Sequence, residues 1–377
     1  MTATLLRFPI SRIRCHFRPL ILAGSAAAIL CVFWFASRYP QLFAKSEHLG
    51  QSLPSMAWSS ELLPVAANAP LWQKIAFGAV NWLDSMKTGM SFGVLFGAWL
   101  HTLLRYYPLK IGSNLYLNSL KGALVGAPAG VCANCAVPMA CGVTRGNGRV
   151  EVALGFLFSS PNFNPVVVAM TFMALPWTMS VTKYGILLVV ILGIVPAVIS
   201  WLERSRSLKP FTVGDEHNAC AVHFDPEDCS EPFWPVFREM ARDYGRHVWM
   251  LLKPTLTLML LASLVSSALL VLVPWQSVLS EFTPLRAALI SLIAVFMPVP
   301  IALDVMFAAQ LQQQGVAPGY VMLFAMTLGT YSIIPGIYLW REVSRRLAVV
   351  LFVFFVVIGW LTALLFSLLL DPAVFPL

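Results

Sequence analysis

The sequence predicts an all-α integral membrane protein with about seven transmembrane helices and two re-entrant hairpins, arranged as two inverted repeats. Of its 377 residues, 58% are hydrophobic and 11% are charged, and the mean hydropathy is +0.77. Soluble domains, in contrast, carry about 25% charged residues. Apolar runs of about 20 residues are long enough to cross a bilayer, and in lipid such runs form helices because their backbone groups bond internally. The clearest runs are 20–35, 91–104, 185–202, 249–273 and 347–369.

Charge and cysteine content exclude two other classes of protein. The net charge is +8, but the basic residues flank apolar segments, where they set membrane topology; nucleic-acid binding is therefore not predicted. The seven cysteines are an odd number and three lie in apolar sequence, which argues against a secreted disulfide framework. Reactive or ligating thiols are the better interpretation.

The chain divides into four segments. The N-terminus carries four arginines before a run of about 17 apolar residues and lacks a convincing cleavage site, so we expect an uncleaved helix with its N-terminus in the cytoplasm. A polar stretch rich in both charges divides the remainder. The predicted segments are 1–73 (first helix and periplasmic loop), 74–203 (first repeat), 204–247 (cytoplasmic polar loop) and 248–377 (second repeat).

The two halves resemble each other. An offset of 170 residues superposes Pro128 on Pro298 and Pro165 on Pro335, and the flanking long helices also correspond. Repeats with broken hydrophobic segments in matching positions are typical of secondary transporters. If 120–143 and 287–312 are re-entrant hairpins, the segments rich in Lys and Arg all lie on the cytoplasmic side, as the positive-inside rule requires.

A cysteine cluster, "VCANCAVPMACG", lies in the first of these segments. Cys132 and Cys135 have C-x-x-C spacing, Cys141 follows, and Pro128 and Pro138 make a continuous helix improbable. Irregular backbone at membrane depth lines a cavity or is covered by protein, so we expect the thiols to line a cavity. The pair suits a disulfide or a soft-metal or metalloid site; structural zinc needs a fourth ligand. The alternative is that the cysteines are small buried fillers.

A second interruption is predicted in "GFLFSSPNFNPVVV". Asn164 followed by Pro165 is typical of a helix N-cap, and a single helix over 150–181 would measure roughly 48 Å, too long for the bilayer. A helix N-terminus at mid-membrane favours an anionic or electron-rich ligand. Ser160, Asn162 and Asn164 are therefore predicted to line the site; the alternative is a kinked packing helix.

The corresponding segment of the second half contains Asp304 among apolar residues. A carboxylate inside the membrane indicates a proton or cation coupling site, unless the hairpin is shallow and Asp304 is interfacial. Asp84 and Lys87, three residues apart on a helix, are expected to pair or to sit at the interface.

The polar loop contains His217, Cys220, His223 and Cys229 among acidic residues. These residue types suit a transition metal, but their spacing matches no standard zinc module. The two interpretations are an acidic disordered loop and a cytoplasmic metal-capture site.

The sequence resembles the ArsP-type predicted permeases, the trivalent organoarsenical efflux permeases. The resemblance is carried by "CANCAVP", by the turn "GVTRGNG" and by an apolar helix ending in "SSPNFNP". Here C-A-N-C replaces the tighter C-S-C cluster typical of members. The resemblance implies efflux across the bacterial inner membrane, with Cys132 and Cys135 at the positions of the family's cysteine cluster.

These observations predict a permease that exports a thiophilic solute, such as a trivalent organoarsenical, a metalloid or a soft-metal species. Its expected partners are that solute and the lipid bilayer; no cofactor is expected, and no G-x-x-x-x-G-K-[ST] motif for ATP is present. The alternative is a membrane thiol–disulfide oxidoreductase that uses the C-x-x-C pair. Such an enzyme usually needs a second exposed pair, which the predicted outer loops lack.

Overall fold

The computed structural model describes residues 17–47, 62–66, 68–107, 112–145, 149–205 and 233–370. Within these residues the chain is helical, without strands, which confirms an all-α membrane fold. The helices of the first half are α1 (Phe17–Phe33), α2 (Tyr39–Glu47), α3 (Leu71–Tyr106), α4 (Leu115–Ala129), α5 (Ala133–Arg145), α6 (Val150–Asn162), α7 (Pro165–Ala174), α8 (Trp177–Val189) and α9 (Val195–Arg204). Those of the second half are α10 (Phe233–Leu272), α11 (Trp275–Val278), α12 (Pro284–Phe296), α13 (Leu303–Gln313), α14 (Pro318–Thr327), α15 (Ile333–Tyr338) and α16 (Arg345–Leu370).

Four helical stretches in the described part of the chain are long and apolar enough to cross a membrane. They are Phe17–Phe43, Trp177–Arg204, Phe233–Leu272 and Arg345–Leu369. The pair α6 and α7, bent by 46° at its break, is a fifth candidate. Helix α3 has 36 residues and α14 is short and apolar, so the predicted count of seven crossings also depends on these two.

The first predicted hairpin folds back on itself. Gly122 and Gly126 of α4 pack on Val152 and Phe156 of α6, so these two helices run parallel. Helix α5 runs antiparallel to α6, because Val131 contacts Ser160 while the opposite ends are joined by a short connection. Helices α4 and α5 therefore run in opposite directions and form a re-entrant hairpin.

The second hairpin, α12 and α13, has the same geometry. Ser291 of α12 donates a hydrogen bond to Val356 O of α16, and α12 runs antiparallel to α16. The close contacts at Gly319 and Gly359 show that α14 also runs antiparallel to α16. Helices α12 and α14 are therefore parallel. Asp304 at the start of α13 lies against Gly329, just after the end of α14. Helix α13 is therefore antiparallel to α12.

The two repeats run in opposite directions through their first helices, α3 and α10. Gly78 of α3 packs on Ser267, whereas Thr102, further along α3, bonds His247, which comes earlier in α10. Tyr106 at the end of α3 donates to Asp243 near the start of α10. This antiparallel pairing is what inverted repeats require.

Helix α10 begins earlier than the sequence indicated. Residues 233–247, assigned from sequence to the polar loop, form its first turns. The reason is an amphipathic pattern in which Val236, Met240, Asp243 and His247 recur at helical spacing and are buried. The loop itself falls largely outside the described residues.

The prolines of the cysteine segment break the helix once. Pro128 lies in the last turn of α4, and Gly130, in the left-handed conformation at φ 61°, reverses the chain. Helix α5 then continues through Pro138. The stretch is therefore not one continuous helix, as predicted: the interruption lies at 130–132, and Pro138 lies inside α5.

Close packing of α3 on α5 depends on glycine. A Cβ at Gly93 would overlap the carbonyl oxygen of Cys135, and one at Gly97 would overlap that of Pro138. These contacts hold α5, the second helix of the first hairpin, against α3.

Gly93→Ala is expected to lower the free energy of unfolding by about 1–3 kcal/mol, because a packed backbone has to move. Thermal unfolding of the purified protein in detergent measures this change. Gly185→Ala is the matched control: nothing lies within 4 Å of its added Cβ, and the helical alanine gains up to about 1 kcal/mol. Equal stability of the two variants would contradict the close-packing interpretation.

Candidate functional site

Four chain interruptions meet in the interior of the molecule. They are the two hairpin tips, 130–132 and 297–302, and the two helix breaks, 163–164 and 328–332. Asn134, beside the first tip, donates to Val299 O of the second tip at 3.3 Å and accepts a 2.5 Å hydrogen bond from Ser332. Thr330 donates to Asn162 Oδ1 at 3.4 Å. These bonds join the two repeats at one buried polar centre.

The offset between the two repeats explains which residues form the polar centre. Adding 170 to the residue number places Asn134 on Asp304, Asn162 on Ser332 and Ser160 on Thr330. Positions equivalent in sequence thus supply the polar groups from both sides. Each interruption frees backbone polar groups, and side chains bond some of them: Val131 N donates to Ser160 Oγ, and Val299 O accepts from Asn134.

Cys132 and Cys135 lie at the first hairpin tip, in this polar centre. Their sulfur atoms form a disulfide, and the exposed fractions of the two residues are 2% and 1%. Asn134 lies between them in sequence, and the thioether sulfur of Met86 is 3.9 Å from Cys132 Sγ. The tip therefore places a disulfide and a thioether sulfur beside the amide group of Asn134.

Cys141 does not join this pair. It packs against Val94, Ala98 and Leu251, in the contact of α5 with α3 and α10. Six residues along a helix turn the side-chain direction by about 240° and advance it about 9 Å, which carries Cys141 away from Cys135.

The three polar residues predicted on α6 and α7 border the interruptions. Ser160 Oγ accepts a 3.2 Å hydrogen bond from Val131 N of the hairpin tip, and Asn162 receives the bond from Thr330. Asn164 caps α7 by accepting from Val166 N, with Pro165 at the first helical position. The predicted break and cap are confirmed.

Asp304 forms a buried ion pair with Lys183 of α8. The distance from Lys183 Nζ to Asp304 Oδ2 is 2.6 Å, and the side chains are 0% and 7% exposed. The pair links a helix of the first repeat to the hairpin of the second. Gly329, in the left-handed conformation at φ 78°, lies beside the carboxylate. Asp304 is therefore buried within the protein.

The remaining predicted residues fall into two groups. Asp84 and Lys87 form the expected ion pair. His217, Cys220, His223 and Cys229 lie outside the described residues, so their metal-binding role stays a prediction. In the described ranges no group of three or more His, Cys, Asp or Glu side chains is placed to hold a metal ion.

Sequence reasoning missed four residues of the centre. Lys183 is a lone charge in a long apolar run, the same signal that identified Asp304. Asn134 and Thr330 follow from the repeat offset, as partners of Asp304 and Ser160. Ser332 is the offset partner of Asn162.

Comparison with known proteins identifies the family. The family model ArsP_1, described as predicted permease, matches residues 108–368, which contain both hairpins and all four interruptions. The chain belongs to this predicted permease family. Together with its apolar helices, this places it among multi-pass membrane proteins.

A curated relative supports this assignment. Over 204 residues the chain is 24% identical to the UPF0718 protein YraQ of Escherichia coli (strain K12), covering 54% of each chain. It thus spans about half the length of the curated relative that it matches. No solved structure matches the permease.

Proposed function

We propose that this permease is a secondary transporter that exports a thiophilic solute through the buried polar centre. The observation that carries the proposal is the position of Cys132 and Cys135 at a hairpin tip where interruptions from two inverted repeats meet. Secondary transporters place their substrate sites at such interruptions. Export, residence in the bacterial inner membrane and a cytoplasmic N-terminus are parts of the proposal.

The contacts between basic segments support that topology. Arg18 of α1 pairs with Glu239 near the start of α10, Arg105 pairs with Asp243, and Arg145 pairs with Glu342. These pairs bring the basic ends of several helices to one side of the bundle. By the positive-inside rule this side is the cytoplasm.

The chemistry of binding requires the reduced cysteine pair. A trivalent arsenical R–As(OH)₂ reacts with two thiols to form two As–S bonds and release two water molecules. The disulfide has no thiolate to offer, so a cellular dithiol must first supply two electrons and two protons. The Met86 thioether sulfur next to the pair is a further soft electron donor, so the site suits a soft, electrophilic solute such as trivalent arsenic.

The Lys183–Asp304 pair is suited to coupling transport to protons. Protonation of Asp304 removes the charge that holds Lys183, and the contact between α8 and α13 then loses its main attraction. A pair that bridges the repeats can in this way link proton binding to their relative movement.

The neutral double variant Lys183→Gln with Asp304→Asn tests this coupling. It preserves two hydrogen-bonding side chains of similar size, so the fold is expected to persist. Transport in vesicles should lose its dependence on an imposed proton gradient, while wild-type transport follows that gradient. A double variant that responds to the gradient like the wild type would reject the coupling role.

Growth of a sensitised bacterium tests the substrate class. Cells that express the permease are compared with vector controls on trivalent methylated arsenicals, arsenite, selenite and mercuric ion. Protection against at least one of these thiophilic compounds is expected. Protection against none of them would contradict the proposed function.

The disulfide also favours a second candidate, a membrane thiol–disulfide oxidoreductase. Against it, the other cysteines in the described part of the chain, Cys31 and Cys141, lie on separate helices and offer no second pair to relay electrons. Quinone reduction by the dithiol form, at the same rate in the wild type and in Cys141→Ser, would support the oxidoreductase over the transporter.

A further inference from the structure

An apolar cleft opens on the surface of the second repeat, between α12, α15 and α16. It is open to the outside and has a volume of about 220 Å³, and its walls are almost entirely apolar. Phe296, Trp340 and Val349 border it, with exposed fractions of 39%, 47% and 47%. A cleft with such walls has no favourable contacts to offer a charged, hydrated molecule.

The surface around the cleft faces lipid. Leu285, Leu289 and Leu292 along α12, and Val353 and Val357 along α16, are all exposed, so the cleft lies within a continuous apolar surface. The Arg345 guanidinium lies 5.6 Å from the centre of the Trp340 ring. An Arg–Trp pair of this kind marks the membrane interface, here on the side that carries the basic segments.

The floor of the cleft reaches the polar centre. Tyr331 and Ser332 line it, and each is only 2% exposed. The Ser332 hydroxyl donates to Asn134 Oδ1, and Asn134 lies between the two cysteines of the hairpin tip. Ser332 therefore contacts both the lipid-facing cleft and, through Asn134, the candidate substrate site.

We propose that this cleft is a lateral entrance to the candidate site. An uncharged solute dissolved in the bilayer enters the cleft, passes the Ser332 side chain and reaches the candidate site. The inference rests on the proposed function and adds the route and the physical class of the solute. The apolar walls hold the hydrocarbon part of the solute while Ser332 and Asn134 receive its polar end. Because the mouth lies on the side of the basic segments, the solute enters from the cytoplasmic leaflet.

Val349 allows the entrance to be blocked with a matched control. Val349→Trp fills the mouth from an exposed position and leaves the floor intact. Val353→Trp adds the same side chain one turn further along α16, at a similarly exposed position (51%) that does not line the cleft. Both indoles face lipid, so differences between the variants report on the cleft.

Labelling of Ser332→Cys in full-length protein in proteoliposomes tests the route without a transported solute. N-phenylmaleimide partitions into the bilayer, whereas a sulfonated maleimide stays in water. Labelling is measured by mass spectrometry on the peptide that contains residue 332, so native cysteines do not contribute to the signal. Val349→Trp should slow labelling by N-phenylmaleimide about fivefold or more, because an indole packed into the mouth leaves little space for the reagent to pass. Val353→Trp should leave the labelling rate unchanged. Ile333→Cys, also on the cleft, serves if Ser332→Cys does not fold.

Other results would overturn the entrance. Labelling that is equally fast with the sulfonated reagent indicates an aqueous route. An unchanged labelling rate in Val349→Trp would also overturn it. If native mass spectrometry then finds a bound phospholipid in the wild type and in Val353→Trp but not in Val349→Trp, the cleft is a structural lipid site.

A transport arm separates this inference from the proposed function. In everted vesicles, Val349→Trp should slow transport of a phenyl-substituted trivalent arsenical about fivefold or more relative to Val353→Trp, because the blocked cleft excludes its ring. If the wild type transports no arsenical, the proposed function fails, and the labelling result still decides the entrance.

Discussion

Replacing Lys183 by methionine is expected to lower the free energy of unfolding by about 3–5 kcal/mol, the range found when one partner of a buried ion pair is removed. Lys183 is fully buried and holds Asp304 at 2.6 Å, so the variant leaves a carboxylate in the interior without its counter-charge. Denaturant or thermal unfolding of the purified protein in detergent measures the loss.

Two matched variants separate this effect from a general cost of losing a lysine. Lys87 pairs with Asp84, but its side chain is 67% exposed, so Lys87→Met should change the stability by less than about 1 kcal/mol. Lys183→Met combined with Asp304→Leu should recover most of the stability, since no unpaired charge remains. A Lys183→Met protein as stable as the Lys87→Met protein would show that the buried pair does not hold the repeats together.

The largest expected effect on binding concerns the redox state of the cysteine pair. After reduction by dithiothreitol and complete removal of that reagent, which itself chelates arsenicals, the purified protein should bind one phenyl-substituted trivalent arsenical per chain, and the disulfide form should bind none. Two thiols held three residues apart act as a chelate, so Cys132→Ser or Cys135→Ser should weaken binding by about 10²–10⁴-fold. Titration calorimetry measures the affinity, and intact-mass spectrometry measures the stoichiometry.

Cys141→Ser is the internal control for this prediction. Cys141 packs between α5, α3 and α10, away from the hairpin tip, so its replacement should leave both the affinity and the stoichiometry unchanged. An affinity that depends on Cys141 and not on Cys132 would move the site away from the interruptions.

The architecture was accessible from sequence because bilayer physics limits it strongly. Apolar runs, the positions of prolines and the distribution of basic residues predicted helices, two hairpins and an inverted repeat. The contacts of Gly122, Val131 and Asp304 then give the chain directions that those predictions require. The cap at Asn164 was predictable because it depends on neighbouring residues alone.

The composition of the site was less accessible, because it depends on contacts between distant elements. Cys141 appeared to belong with the C-x-x-C pair in sequence, but helical geometry turns it onto another face. Lys183 lies 121 residues from Asp304, and only the fold brings them together. The bond between Asn134 and Ser332 joins residues 198 positions apart.

The central claim is that Cys132 and Cys135 hold the solute during transport, and transport in proteoliposomes tests it most directly. Reduced wild-type protein and the Cys132→Ser, Cys135→Ser double variant are reconstituted at equal density, and uptake of a trivalent phenyl-substituted arsenical is measured under an imposed proton gradient. Uptake by the wild type, with none above empty liposomes for a correctly folded double variant, is the predicted result. Equal uptake by the two proteins would contradict it.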